Sequence, residues 1–330
     1  MADSTEPLTV SQSFAADKQL SDLCADFFSV VFPVITTMLL VISFIHFIPL
    51  DSTKDLLAQL FITSSSPSGQ AAGSLANAAI LVLVIFLTTL FVLILNTRGC
   101  AVILKIWFIF SAFIIFFFLG SYILYSFVKA HHLFLDYISF VIIIVNISVL
   151  GITAIFFVKN PNNLITHASL IVLVTLAAHF MSNLPVWTLW MFVVLISLYD
   201  LYAVLHTSGP LRALTSPERC TSSAQNTTSS GENAVDFSVL VYSTESQELG
   251  LGDFLIYALL ASLAFKSGFF VAILVISAIA MGLILTLGLL YLYERTLPAL
   301  PISIGLGCLV FVLSRWCFST ALEARVFKTL

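Results

Sequence analysis

Nine apolar stretches dominate this chain, each close to the roughly 20 residues that a helix needs to cross the hydrocarbon of a bilayer. They run over 27–48, 75–96, 106–128, 137–158, 164–182, 186–205, 249–265, 268–293 and 297–320. With no water in that hydrocarbon, each backbone amide and carbonyl must be satisfied within its own segment, so stretches of this length are expected to be helices. A chain that is 60% hydrophobic and 9% charged cannot clothe a soluble surface. The fold class expected is therefore an all-α membrane protein with nine transmembrane helices.

The breaks between stretches are short and turn-like. Asn160-Pro161-Asn162-Asn163 closes the fourth, and Ser182-Asn183-Leu184-Pro185 parts the fifth from the sixth. Only Lys266-Ser267-Gly268 separates the seventh from the eighth. Residues 1–25 form a polar tail lacking the apolar core of a cleavable signal. Residues 206–248 are the one long connection, with fifteen Ser or Thr in 43 positions, and read as a flexible hydrophilic loop. Within it, Phe237 to Tyr242 has strand-like composition and is too brief to cross. The loop divides a six-helix part, 26–205, from a three-helix part, 249–330.

Arg98, Lys105, Lys159, Arg212, Arg219 and Arg295 follow even-numbered stretches, against Lys54, Lys129 and Lys266 after odd ones. By the positive-inside rule the amino terminus and the 206–248 loop face the cytosol, although Arg325 and Lys328 vote the other way. A net charge of −4 with no basic patch argues against nucleic acid. Five cysteines and six histidines show no metal-ligand spacing and no His-Glu-x-x-His, so no metal or other cofactor is expected. The absence of any Gly-x-Ser leaves a serine-protease reading without its nucleophile pattern. Asn77, Asn146, Ala258 and Ser262 read as helix-packing residues, and Lys266 and Arg315 as cations snorkelling from span ends.

Two carboxylates break the apolar pattern. Asp200 lies five residues before the sixth stretch ends, and Asp253 four residues after the seventh begins. At 1.5 Å per helical residue they sit about 8 Å and about 6 Å from the same membrane face. A carboxylate within a span costs about 2.5 to 3.5 kcal/mol on insertion scales, which makes it a functional candidate by default. Two such groups at one depth in low dielectric cannot both ionise, so they share a proton and titrate as a pair. One can then take a proton from water while the other hydrogen-bonds a scissile carbonyl, which is aspartic-protease chemistry. The competing readings are two carboxylates each satisfied by a neighbouring helix, and a proton or cation leak pathway. Gly250 and Gly252 flank Leu251 just before Asp253, where missing side chains let another backbone approach. Pro298 and Pro301 lack amide protons, so 297–301 is expected to be an irregular approach to the ninth stretch, its Leu300 amide open to an extended substrate.

Tyr199-Asp200, Gly250-Leu251-Gly252-Asp253 and Pro298-Ala299-Leu300, in that order, resemble the presenilin family of intramembrane aspartyl proteases. The likeness extends to Leu184-Pro-Val-Trp-Thr-Leu-Trp190, Gly209-Pro-Leu-Arg212 and Leu297-Pro-Ala-Leu-Pro-Ile-Ser-Ile304. It implies Asp200 and Asp253 as the catalytic pair, with Tyr199, Gly250, Leu251, Gly252, Pro298, Ala299 and Leu300 shaping the site. It further implies the catalytic subunit of a γ-secretase complex with nicastrin-, Aph-1- and Pen-2-like partners, in endoplasmic reticulum, Golgi and later membranes such as plasma membrane or endosomes. The implied substrates are membrane stubs of type I proteins, Notch-like and amyloid-precursor-like. Signal peptide peptidases share the shorter motifs in an inverted orientation, which would put Asn226-Thr-Thr228 in the lumen as a glycosylation pattern. The chain departs from the family in its loop, where Ser243 to Glu248 leads almost directly into Leu249 and much of the self-cleaved region is missing, and in its last residues, 323–330.

Overall fold

A computed structural model describes residues 6–48, 67–158, 164–205, 241–243, 248–293 and 299–326. The helices are α1 (Glu6–Phe47), α2 (Pro67–Thr97), α3 (Ala101–Ile114), α4 (Gly120–Ala130), α5 (Tyr137–Phe156), α6 (Leu164–Met181), α7 (Val186–Leu205), α8 (Leu251–Ser267), α9 (Phe269–Tyr293) and α10 (Ala299–Val326). A π-helical turn, Ile115–Leu119, joins α3 to α4 in one continuous rod. The extra residue of that turn loosens the carbonyl ladder, and Ser121 Oγ donates to the Phe117 carbonyl within it. Between α2 and α3, Gly99 takes a left-handed φ of 70°, which reverses the chain without a side-chain clash.

Helical backbone reaches back to Glu6, so most of the expected polar tail continues α1. Pro33 sits inside this helix and removes one ladder bond. Thr36 and Thr37 return hydroxyl bonds to the carbonyls of Phe32 and Pro33 at 2.8 Å each, steadying the same turn.

Among the described residues six helices are long and apolar enough to cross a bilayer: Phe27–Phe47, Gly69–Leu95, Val102–Ala130, Tyr137–Phe156, Leu164–Met181 and Phe269–Leu289. Of the other three expected crossings, α7 and α10 have described apolar runs over Val186–Tyr199 and Ile302–Cys317 within helices of 20 and 28 residues, and α8 has 17 residues, about 25 Å of helix. Its shortness is tolerated because protein surrounds it. Every residue from Ile256 to Ala264 is buried, and α1, α6, α7, α9 and α10 all pack against it.

Contacts along these helices give their directions. Phe44 meets His179 edge-on at 6.0 Å and His46 meets Phe265 at 6.4 Å, so α1, α6 and α8 end at the same face of the bundle. Antiparallel packing of α9 and α10 follows from two tight points. A Cβ on Gly282 would fall 2.7 Å from Ser303 Cα, and one on Gly307 would fall 3.0 Å from Ile279 Cγ1. Since α8 and α9 are separated by Gly268 alone, α8 runs parallel to α10. On α5, Gly151 admits the Phe116 ring of the π-helical turn, where a Cβ would meet ring carbons at 2.7 and 2.8 Å.

Two short strands, β1 (Val241–Ser243) and β2 (Glu248–Gly250), pair antiparallel with Val241 opposite Gly250 and Ser243 opposite Glu248. The strand-like composition near Tyr242 is thus realised; Phe237 to Leu240, and the rest of the long loop from 206, lie outside the described residues. Of the expected packing residues, Asn77, Ala258 and Ser262 are buried, whereas Asn146 faces outward on α5. Periodicity could not separate these cases, because lipid and protein interior are equally apolar.

Candidate functional site

The elements expected to carry the site are α7, α8 and the start of α10, and these three helices pack pairwise against one another. α8 begins where β2 ends, so Gly250 is both the last strand residue and the cap of the helix. Asp253 falls in the first turn, with its carboxyl folded back over the glycine: a Cβ on Gly250 would lie 3.9 Å from each of its oxygens. Gly252 has nothing within 4 Å of a Cβ position, so among the described residues no other backbone approaches there. The expected close approach is not made by any of the described residues. Leu251 is partly buried and touches two separate core clusters. It wedges the start of α8 between them.

Asp200 is on α7, and the description of that residue extends to its backbone alone. Its depth follows from the opposite end of the helix. Lys266, one residue before α8 ends, donates to the backbone carbonyl of Ser182 in the turn that starts α7. From Val186 to Asp200 is fourteen residues and from Lys266 back to Asp253 thirteen, which is about 21 Å and about 20 Å of helical rise. The two aspartate backbones therefore reach the same level. Tyr199, one residue before Asp200, is partly buried with its ring edge-on to Phe86 of α2 at 6.4 Å.

The third element arrives at that level by a separate route. A Cβ on Gly307 would lie 2.9 Å from Leu260 Cδ2, which brings α10 against α8. Counting back from this contact along two parallel helices, Asp253 lies about 10 Å and Ala299 about 12 Å away. Pro298 lies outside the described residues, but Ala299, Leu300 and Pro301 already have helical backbone. The irregular approach expected over 297–301 is therefore not found from Ala299 onward, and Leu297 and Pro298 lie outside the described residues.

These motifs can be compared with known proteins. The presenilin family profile matches residues 22–221 and 215–322. The chain belongs to the presenilin family. It is 30% identical to Presenilin-B of Dictyostelium discoideum over 328 residues, covering 95% of this chain and 66% of that protein. A presenilin-like protein of Arabidopsis thaliana is 28% identical over 319 residues, covering 76% of this chain and 80% of its own length. The presenilin homolog of Drosophila melanogaster is 32% identical over 192 residues, or 57% of this chain. The chain thus spans just under two thirds of the Dictyostelium relative. Family and apolar helices together make it a multi-pass membrane protein with the presenilin fold.

The polar junction at the far end of α8 was missed by sequence reasoning. Lys266 was expected to snorkel towards the membrane surface, yet it bonds a carbonyl 84 residues away in sequence. A lysine near a span end carries no sign of which of these it does.

Proposed function

We propose that this presenilin is an intramembrane aspartyl endopeptidase in which Asp200 and Asp253 form the catalytic pair. The observation that supports this reading most is the common depth of three chain-distant elements: the α7 aspartate, the α8 aspartate and the helical start at Ala299-Leu300. Carboxylates delivered to one level by adjoining helices in low dielectric share a single proton. The ionised member draws a proton from water as the water oxygen attacks the peptide carbonyl. The protonated member hydrogen-bonds the carbonyl oxygen as charge builds there and later supplies the proton that the leaving amine needs. On this reading water reaches the pair from the end of the bundle at which α8 begins, without crossing lipid.

Substrate would bind extended, since a helix hides its carbonyls in its own ladder. The β1–β2 ribbon runs directly into α8, and a two-stranded ribbon has unpaired outer edges to which a further strand can add. The Leu300 amide offers a second backbone donor. On this reading Tyr199, Gly250, Leu251, Gly252, Pro298 and Ala299 shape the pocket around the pair. We further infer the γ-secretase role. The chain would be the catalytic subunit, with nicastrin-, Aph-1- and Pen-2-like partners, acting on stubs of Notch-like and amyloid-precursor-like type I proteins in endoplasmic reticulum, Golgi and later membranes. The 206–248 loop would face the cytosol.

The test is release of a reporter from a type I transmembrane stub by membranes containing the full chain and its partners. Asp200→Ala and Asp253→Ala are each expected to lower the rate on the order of a thousandfold or more, since the two groups act as a unit. Processing that survives in both variants would overturn the assignment.

A further inference from the structure

The two aspartates are carried by α7 and α8, which residues 206–248 separate in sequence. Apolar packing against a neighbour in lipid gains little from hydrophobicity, because lipid chains are as apolar as leucine. The axial register of Asp200 against Asp253 therefore needs another determinant.

We propose that Lys266 is a positioning residue for the aspartate pair, a latch at the far end of the bundle that sets the register of α8 against α7. The proposal rests on the protease reading above. Its acceptor, the Ser182 carbonyl, belongs to the four-residue turn between α6 and α7. That turn is braced as a rigid mount. Ser182 Oγ and Asn183 Nδ2 both donate to the His179 carbonyl, at 2.7 and 2.8 Å. The amides of Ser182, Asn183 and Leu184 bond back to Ala178, Phe180 and Met181 at 2.8 to 3.1 Å, and the Leu189 amide bonds Pro185 at 3.0 Å, so the mount continues into α7.

Lys266 is equally well placed on its own helix. Gly268, at φ 147°, ends α8 two residues later, and its amide closes onto the Phe265 carbonyl at 3.0 Å. The last carbonyls of a helix lack intrahelical partners and carry the negative end of its dipole, so an ammonium there is favoured on charge as well as by the hydrogen bond. Lys266 is itself exposed, and a charge-assisted bond of this kind is stronger than one between neutral groups. Slipping α8 by one residue moves Asp253 about 1.5 Å. A misplacement of about 1 Å can cost on the order of a hundredfold in rate. Register held at Lys266 is thus read out as catalysis about 20 Å away.

The test measures cleavage of the same stub, as kcat, KM and the pH profile of kcat, in membranes carrying the full chain and its partners. Lys266→Met is expected to lower kcat about tenfold with KM changed less than twofold. It should also narrow the bell-shaped profile, because carboxyl groups moved apart interact less and their two apparent pKa values converge. Lys266→Arg, which restores a charged donor, should recover both the rate and the width. The other titratable side chains at this junction, His46 of α1 and His179 of α6, are the same in all variants. An unchanged kcat and width in Lys266→Met would overturn the proposal, as would an Arg variant that behaves like the Met one. Should the Met variant fail to accumulate, Lys266→Leu, which likewise has no donor, supplies the comparison, and an unchanged profile there overturns the latch equally. Failure of the protease reading is seen separately, as cleavage that survives in Asp253→Ala.

Discussion

α2 and α8 are written in nearly the same apolar alphabet and end in opposite surroundings. On α2, Ile80, Leu83, Val84, Leu87 and Ile94 each leave about half of their surface uncovered. On α8, Leu259, Leu260 and Ala261 have none uncovered. The difference does not lie in hydrophobicity. Ala258, Ala261, Ser262 and Ala264 let five other helices come close to α8, whereas the outer stripe of α2 presents leucine, isoleucine and valine that lipid solvates as readily as protein would. Burial in a membrane is decided by how closely backbones can approach.

The contrast can be attacked with three substitutions read by unfolding in lipid nanodiscs. The largest effect is expected at Leu260→Ala, which opens a cavity where α8 meets α10 and should cost about 2 to 5 kcal/mol. Gly282→Ala should follow, at about 1 to 3 kcal/mol, because the new methyl falls 2.7 Å from the Ser303 backbone and α9 and α10 must part to admit it. Leu83→Ala on α2 should be nearly silent, within about 0.5 kcal/mol. A loss at Leu83 as large as that at Leu260 would mean that the outer face of α2 is covered by something as close-fitting as a helix. The comparison would then have to be redrawn.

The candidate pair was singled out by the sequence alone. Asp200 and Asp253 stand out because a charge is costly in a span, and counting residues from the loop brought them to one depth without any contact being known. The rise of α7 and α8 from the Lys266–Ser182 junction reaches the same level from the other end. Elsewhere local rules misjudged the outcome. Pro301 was expected in an irregular approach and has helical backbone. At Gly252 the expected backbone approach is not made by any of the described residues. Asn146 looked like a packing residue and faces outward. Each depends on what lies across from the residue, which spacing along one chain does not encode.

Sequence alone determined that the apolar stretches are helical and how far along each the carboxyl groups lie. In hydrocarbon a helix must satisfy its own amides and carbonyls, so its existence and length follow from the segment by itself. Only the tertiary structure decided that the 17-residue α8 is the centre of the bundle, that α10 runs parallel to it, and that a lysine at its end grips the turn before α7. Neighbours in a membrane are chosen by shape and by a few polar contacts, and hydropathy is blind to both.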